Sequence, residues 1–397
     1  MSELKELSSI TSKIGSGLTP RGGNSVYTDN GISLIRSQNV LDMDFSTENL
    51  AYIDEVQAEK LKNVIVEKND ILLNITGDSI ARCTIVPEEI LPARVNQHVS
   101  IIRCKNTEQS KYVMYYLQYI KKYLLQISKV GGTRNALTKE AISKLPIKIS
   151  EDWNRISTIL DNIDRKIKIN NQINQELEAM AKTLYDYWFL QFDFPDQNGK
   201  PYKSSGGKMV YNPELKREIP EGWGVEKLGD VAYLKAGGDK PNNISDRKSK
   251  ETPIPIYSNG IDNKGLYGYT NKATIYNNSL TVSARGTIGH VQRRFSPFFP
   301  IIRLISVTPK EENLIGYIEN FLKSIQFENS GSVQQQLTVP QIDKLYIITP
   351  ENELLEKYHS LTINYYYQVE NNEQQNQELT HLRDWLLPML MNGQVRI

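Results

Sequence analysis

The sequence predicts an α/β (α+β) protein in which two similar mixed α/β domains are separated by two long antiparallel coiled-coil helices. Two observations support this fold class. A seam of alternating four- and three-residue steps occurs twice, 202 residues apart, and the segments before the two seams share landmarks in the same order. Such seams are typical of helices that pack along one another. We therefore interpret the chain as a pseudo-two-fold internal duplication.

Both seams carry asparagine at the same two places. The first seam consists of Ile156, Leu160, Ile163, Ile167, Asn170, Asn174, Leu177, Ala181, Leu184 and Trp188. The second consists of Tyr358, Thr362, Tyr365, Val369, Asn372, Asn376, Leu379, Arg383, Leu386 and Leu390. A buried asparagine weakens a seam but fixes its register and orientation. We assign these four asparagines to helix pairing rather than to ligand binding.

Composition is that of a globular protein. A hydrophobic share of 39% and a charged share of 23% fit a chain that folds into two or three domains. The N-terminus shows no basic region followed by an apolar run, and no apolar run approaches the roughly 20 residues of a membrane-spanning helix. Cys83 and Cys104 form no CxxC, and the four histidines are scattered. We expect a cytoplasmic protein without a metal site.

The net charge of +1 hides a strong segregation of charges. No acidic residue occurs between Asp262 and Glu311, a span that contains seven lysines and arginines. A second acid-free span lies between Glu108 and Glu140 and contains six. One such basic span could be a solvated surface. Because there is one in each half of the chain, we interpret them as contacts to phosphate groups.

Residues 1–150 are predicted to form the first mixed α/β domain. Turn signals separate short strands predicted at 32–36, 63–65, 71–75, 84–86 and 99–104. A helix is predicted at 112–127, and a short one begins after Thr138, which serves as its N-cap. The glycines Gly15 and Gly17 do not make a dinucleotide fingerprint, because Pro20 stands where the third glycine is needed.

The rest of the chain repeats this plan. We divide it into a central spacer helix at 151–190, a connector at 191–222, a second domain at 223–350 and a C-terminal spacer helix at 351–392. Matching landmarks in the two domains are Leu7 and Leu228, Thr76–Ala81 and Ala284–Gly289, and Leu137-Thr138 and Leu337-Thr338. A period of this length indicates a duplication rather than a solenoid.

Two similar basic domains on a rigid helix pair suit a target that has two different halves. Duplex DNA offers such targets, because half-sites are separated by a distance that the protein's span must match. Base edges are read by Arg, Lys, Asn, Gln or Ser, while lysines and backbone amides hold phosphates.

The chain resembles the specificity subunit of a type I restriction–modification system, and the resemblance covers essentially all of it. Several motifs in the right order carry it: Ile219-Pro220-Glu221-Gly222-Trp223, the segments LTKEAISKLPI and LTVPQIDKLYI that close the two domains, the helix QELEAMAKTLYDYWF and the tail LRDWLLPMLMNGQV. The resemblance implies two target recognition domains, each reading one half of a split, asymmetric DNA sequence.

The resemblance also implies partners and cofactors. The two helices would set the spacer and dock two modification (methyltransferase) subunits, and two ATP-driven restriction subunits would join for cleavage. The chain itself would have no catalytic activity and no cofactor, since S-adenosylmethionine, ATP and Mg are expected on the partner subunits.

Candidate DNA-binding residues follow from side-chain chemistry and loop position. In the first domain they are Arg21, Arg36, Gln38, Asn39, Arg82, Arg94 and Arg134. In the second they are Lys240, Tyr257, Asn259, Arg285, His290, Arg293 and Gln334. Arg36 and Tyr257 follow matched strands and differ, as residues that read different half-sites should.

The sequence disfavours two other functions. A DNA methyltransferase needs a Gly-rich cofactor loop after a strand and an Asn-Pro-Pro-aromatic tetrapeptide, whereas the nearest match here is Asn212-Pro213-Glu214-Leu215. A coiled-coil scaffold without direct DNA reading would explain the helices. It would not explain the duplicated domains or their acid-free spans.

Overall fold

The structure is a computed structural model that describes residues 3–129, 135–327 and 336–395. It divides into two compact units. The first unit consists of Met1–Asn171 with Glu373–Ile397, and the second is Gln172–Asn372. Both long helices cross this division, so each unit contains a part of each helix. The boundaries predicted at 150, 190, 222 and 350 differ from it because they set the helices apart as segments of their own.

The first unit contains two four-stranded sheets and a two-stranded one. Its strands are β1 Glu3–Glu6, β2 Thr11–Ser16, β3 Ile32–Ile35, β4 Ala51–Ile53, β5 Ile65–Val66, β6 Ile71–Asn74, β7 Cys83–Ile85, β8 Ala93–Val95, β9 Val99–Cys104 and β10 Pro146–Ile149. The strand orders are β2-β9-β6-β7, β4-β3-β8-β5 and β1-β10. Pairing is antiparallel except between β3 and β8.

The helices of the first unit pack on these sheets. They are α1 Leu7–Ile10, α2 Glu55–Lys60, α3 Ser110–Tyr119, α4 Lys121–Ile127, α5 Lys139–Ser143 and the first part of α6 Trp153–Tyr185. The single helix predicted at 112–127 is wrong, because the backbone leaves helical geometry at Ile120 and starts α4 anew. The strand predicted at 63–65 is mostly a 3-10 turn, Lys62–Val64. Thr138 caps α5 as predicted, accepting a bond from the amide of Ala141.

The second unit repeats the topology. Its strands are β11 Met209–Asn212, β12 Arg217–Pro220, β13 Gly224–Lys227, β14 Ala232–Ala236, β15 Ile254–Tyr257, β16 Leu266–Thr270, β17 Ser279–Val282, β18 Val291–Arg294, β19 Phe299–Pro300, β20 Ile305–Pro309 and β21 Tyr346–Thr349. The order β14-β20-β17-β18 matches β2-β9-β6-β7, and β16-β15-β19 matches β4-β3-β8, including one parallel pair, while among the described residues β5 has no counterpart in the smaller sheet of the second unit. The internal duplication is confirmed.

The helices of the second unit complete the match. After α6 a π-helical turn covers Asp186–Leu190, followed by α7 Leu228–Val231, α8 Ile315–Ser324, α9 Val339–Asp343 and the first part of α10 Asn352–Asn392. The connector before β13 is built on aromatic packing. The ring of Phe194 stacks between Tyr202 and Trp223, with centroids 4.6 and 4.9 Å away.

The long helices α6, of 33 residues, and α10, of 41, pair in antiparallel fashion in both units. In the first unit Arg383 Nη1 donates to Asp164 Oδ1 over 2.8 Å. In the second, Tyr358 Oη donates to the carbonyl of Ala181 over 3.3 Å. Residue numbers fall along one helix as they rise along the other. Every position of both predicted seams is buried or half-buried.

In the first unit, Asn170 is fully buried and joins the two helices. Its Nδ2 donates to Asn376 Oδ1 over 2.9 Å and to Gln375 Oε1 over 2.8 Å. Asn376 in turn donates to Asn171 Oδ1 over 2.8 Å. The amides thus bind one another across the seam, which offsets the cost of burying them.

In the second unit, Asn174 and Asn372 bind each other. Asn372 Nδ2 donates to Asn174 Oδ1 over 2.8 Å, and Gln368 Nε2 donates to Asn372 Oδ1 over 2.8 Å. Since the helices are antiparallel, the first asparagine of each helix meets the second of the other.

No helix in the described part of the chain is both long enough and apolar enough to cross a membrane. Among the same residues, no group of three or more His, Cys, Asp and Glu side chains is arranged to hold a metal ion.

The paired asparagines yield a stability prediction. Asn372→Leu should lower the free energy of unfolding by about 1–3 kcal/mol, because it leaves the buried amide of Asn174 without its partner. The double variant Asn174→Leu/Asn372→Leu should recover most of that loss, since two leucines pack well in a seam. Asn371→Leu, at the exposed neighbouring position, is the control. Urea unfolding of these three variants and the wild type measures this, and a double variant no more stable than Asn372→Leu would contradict it.

Candidate nucleic-acid interface

In the first unit, three loops meet at one end of the two larger sheets. They are the loop after β3, the hairpin loop between β6 and β7, and the short turn after β8. Asn74 Nδ2 donates to the carbonyl of Ser37 over 2.8 Å, which ties the first loop to β6. Thr76 Oγ1 and His98 Nδ1 lie 2.5 Å apart, which ties the hairpin loop to the turn. Connecting loops held on a rigid frame are where binding residues concentrate.

The second unit assembles the equivalent loops through one residue. Asn259, in the loop after β15, accepts a bond from the amide of Ala284 over 2.7 Å. Its Nδ2 donates to the carbonyl of Ile302 over 2.6 Å, in the turn after β19. A single side chain thus joins all three loops, and its amide is used in doing so. This role is structural, whereas the sequence suggested a base contact.

A fourth loop, after β2 or β14, approaches the same turn in each unit. A Cβ on Gly17 would lie 1.8 Å from the carbonyl oxygen of Val95, and one on Gly237 would lie 2.7 Å from the carbonyl carbon of Pro300. Only glycine permits so close an approach of two backbones. Four loops therefore form the candidate interface in each unit.

Three of the residues predicted for the first domain lie accessible on these loops. Arg21 and Gln38 are exposed, and Arg82 is half-buried at the end of the hairpin loop. Gln38 Nε2 makes one long bond of 3.4 Å to the carbonyl of Asn49. A DNA contact by these three side chains stays a prediction.

Two predicted cations of the second domain are likewise exposed. Lys240 binds the hydroxyl of Tyr267 and lies 4.2 Å from the centroid of its ring. Arg285 Nη2 donates to Gln336 Oε1 over 2.7 Å. An exposed hydrogen bond of this kind is exchanged at little cost for a bond to a phosphate or base. Both remain candidates.

The roles predicted for Asn39 and Arg36, on the loop after β3, need a correction. Asn39 is fully buried, and its Nδ2 donates to the carbonyl of Ser46 over 3.0 Å while its Oδ1 accepts from the amide of Arg36 over 3.1 Å. It shapes the loop and presents nothing to DNA. Arg36 is half-buried, donates to the carbonyl of Asn49 and lies 5.6 Å from the ring centroid of Tyr27.

Arg94 is also structural. Its side chain is buried beneath α2, where Nε donates to the carbonyl of Ala58 over 3.2 Å and Nη1 to that of Ala93 over 3.0 Å. Burial lowers the pKa of Arg94 from its ordinary value. The prediction of a DNA contact by Arg94 is corrected for this reason.

Arg293 forms a buried ion pair. Its side chain is 9% exposed, and that of Glu319 is 2% exposed. Nη2 donates to Glu319 Oε1 over 2.9 Å, and the guanidinium lies 3.6 Å from the ring centroid of Tyr366. Burial alone would raise the pKa of Glu319, but the charges of Arg293 and Lys323 hold it below its ordinary value. Arg293 therefore joins β18 to α8 and α10 and does not face a DNA ligand.

Tyr257 and His290 are both half-buried. The ring of Tyr257 lies under the guanidinium of Arg294, 3.6 Å from it, and burial raises the pKa of the phenol. His290 is half-buried, with Nε2 2.9 Å from Gln292 Nε2. Burial lowers the pKa of His290, which favours the neutral ring at neutral pH. The two remaining candidates, Arg134 and Gln334, lie outside the described residues.

Sequence reasoning missed the turn after β8 and β19. This turn exposes Gln97 in the first unit and Arg303 in the second. Arg303 lies in the acid-free span, which was the available signal. That Arg303 lies next to the loops carrying the predicted residues follows only from the pairing of β15 with β19.

A family model described as "type I restriction modification DNA specificity domain" matches residues 3–179 and 220–381. The chain belongs to this family of type I specificity subunits. The type I restriction enzyme MjaIX specificity subunit of Methanocaldococcus jannaschii is 28% identical over 330 residues, which cover 77% of this chain and 74% of that one. The HindI specificity subunit of Haemophilus influenzae is 23% identical over 333 residues, covering 67% and 72%.

A solved structure agrees at the level of the fold. The S subunit of a type I restriction–modification system from M. genitalium matches 98% of this chain and 96% of its own, with a TM-score of 0.59 and 15% identity. The protein is a DNA-recognition subunit of a type I restriction–modification system. Specificity subunits of this family act with DNA and with other subunits of the system.

The structural role of Arg293 in this specificity subunit can be tested by measuring its contribution to stability. Arg293→Met should lower the free energy of unfolding by about 3–5 kcal/mol, because it leaves the carboxylate of Glu319 buried without its main partner. Arg285→Ala, which removes an exposed cation of the same unit, should change it by about 0.5 kcal/mol or less. Urea unfolding of the purified chain gives both values. An Arg293→Met protein as stable as the wild type would contradict the structural role.

Proposed function

We propose that this specificity subunit reads a bipartite, asymmetric DNA sequence, one half with each recognition domain. The observation that carries the proposal is the repeated loop arrangement: both units have a four-stranded sheet of the same order, a smaller sheet with one parallel pair and the same converging loops, but different side chains on those loops. A shared frame with different exposed groups suits two different half-sites. Arg21, Gln38 and Arg82 would serve one half, and Lys240 and Arg285 the other.

We propose further that α6 and α10 set the spacer between the half-sites. By helix geometry the 33 residues of α6 extend about 50 Å. The buried asparagines fix the register of the two helices within each unit, and we infer from this a span of constant length. A constant span selects one separation of half-sites along the duplex.

The helices also support docking of two modification subunits, with restriction subunits joining for cleavage. Exposed apolar side chains on the two helices are available to such partners, among them Met180 on α6 and Trp385 on α10, which are 50% and 57% exposed. Large apolar side chains that remain exposed on a helix can contact a partner protein.

We also propose that the chain has no catalytic activity, and that S-adenosylmethionine, ATP and Mg bind to the partner subunits. The tetrapeptide nearest to a methyltransferase motif supports this. Asn212 ends β11, and its Oδ1 accepts a bond from the amide of Leu215 over 3.1 Å. The residue shapes the turn of a β-hairpin, so its amide is already used in the turn.

A map of adenine methylation tests the proposal. DNA is methylated by the assembled complex of this chain with its modification subunit, and then by a complex whose residues 223–350 come from a relative. We expect a split motif that changes in one half only, with its spacer preserved, because the helices stay the same. Exchanging residues 4–150 is the reciprocal control and should change the other half. A stable complex that methylates no defined motif would favour a scaffold without direct DNA reading.

A further inference from the structure

The short turn after the parallel strand of the smaller sheet is equivalent in the two units. After β8, the amide of Asn96 donates to the carbonyl of Ile35 over 3.0 Å; after β19, the amide of Ile301 donates to that of Tyr257 over 2.9 Å. Two residues then follow in each unit before the next equivalent contact, in which Val99 accepts from the amide of Gly17 over 3.2 Å and Leu304 from that of Gly237 over 2.8 Å. Gln97 and His98 therefore correspond to Ile302 and Arg303.

The backbone of the second turn is held in a rare conformation. Ile302 and Arg303 have φ of 53° and 63°, and two consecutive left-handed residues, one of them β-branched, are strained. Bonds from the surrounding loops hold them there. The amide of Ile302 donates to the carbonyl of Gly238 over 2.9 Å, and that of Arg303 to Gly237 over 3.1 Å. Strain of this kind persists where the surrounding structure fixes it, and it clusters at functional sites.

The conformation turns the side chain of Arg303 to solvent among the candidate loops. Asn259 holds the carbonyl of Ile302 and the amide of Ala284 at once, so the turn adjoins both the loop after β15 and the β17–β18 hairpin loop. Arg303 is exposed, and no acidic side chain of the described residues is paired with it. A guanidinium in this position is free to form two parallel bonds to guanine O6 and N7.

The turn of the first unit presents the side chain of Gln97, which is held by a chain of hydrogen bonds. Thr76 Oγ1 lies 2.5 Å from His98 Nδ1, and His98 Nε2 lies 3.2 Å from Gln97 Nε2. With the ring proton on Nδ1, the imidazole donates to Thr76 and accepts from the amide of Gln97. The Gln97 side chain is thereby oriented while it remains exposed. A glutamine amide pairs with adenine N6 and N7.

We propose that this turn is a base-reading element in both recognition domains, with Arg303 reading a guanine in one half-site and Gln97 an adenine in the other. The proposal rests on the proposed function, since it presumes that each domain reads one half. His98 is a positioning residue that acts through Gln97. The turn is the same part of the fold in both domains but carries different donors, as readers of unlike half-sites must.

Arg303→Gly tests the second turn without disturbing it, because glycine takes a positive φ freely. We expect the complex to methylate sites in which one G·C pair of a single half is replaced, with discrimination against them reduced roughly tenfold or more. The other half should stay unchanged. Arg303→Lys should retain affinity but lose the same discrimination, since an ammonium lacks the planar fork. Lys344→Ala, which removes an exposed cation elsewhere in the unit, should alter neither.

Gln97→Ala is the reciprocal experiment. It should relax one A·T pair in the opposite half, and His98→Ala should relax the same pair more weakly. A wild-type split motif that survives Arg303→Gly unchanged, or a loss of methylation equal at all sequences, would overturn the role of Arg303. A wild-type complex without a split motif would overturn the proposed function itself, so the two failures are distinguishable.

Discussion

Amide hydrogen bonds buried between α6 and α10 fix the frame on which each recognition domain is built. A seam made only of leucine and isoleucine would bind more strongly, but it would tolerate a shift by one helical turn. Such a shift here would take Asn170 away from Asn376 and Asn174 away from Asn372. Each displaced amide would then be buried without a partner, which costs about 1–3 kcal/mol apiece. The antiparallel register is therefore specified.

The helix pair also fixes the orientation of each domain on it. In the first unit, Tyr115 on α3 donates to Asp164 Oδ2 over 2.6 Å, and Arg383 binds the other oxygen of the same carboxylate. In the second unit, the ion pair of Arg293 and Glu319 packs on Tyr366 of α10. Different residues thus perform the same task in the two copies. Because these contacts are buried and paired, each domain is attached at a defined angle to its helices, which reading a base edge requires.

The fold could be predicted from the sequence because the patterns that indicate it are periodic and recur over a long sequence distance. The two seams and the repeated landmarks predicted the helices, their pairing and the duplication. Two further polar residues of the second seam also have partners: Arg383 binds Asp164, and Thr362 donates to the carbonyl of Tyr358 over 2.9 Å. The break of the helix predicted at 112–127 could not be seen, because Ile120 is an ordinary helix residue and tertiary packing decides its conformation.

The candidate site could be predicted from the sequence only in part. Residue type could not distinguish Arg285, which is exposed, from Arg94 and Arg293, which are buried on other contacts. That difference depends on which neighbours the fold brings to each side chain. Asn39 and Asn259 are likewise loop-forming amides whose partners come from other segments. Arg303 was missed because its exposure depends on a backbone conformation that no local pattern predicts.

Cysteine cross-linking tests the antiparallel register most directly. The native Cys83 and Cys104 are buried and free, so introduced pairs can be followed by mass spectrometry after mild oxidation and proteolysis. The structure predicts a disulfide in the protein that carries Asn174→Cys with Asn372→Cys. It predicts none with Asn170→Cys and Asn372→Cys, the positions that correspond in the duplication and would meet in a parallel pair. A cross-link confined to the second protein would contradict the register and the account built on it.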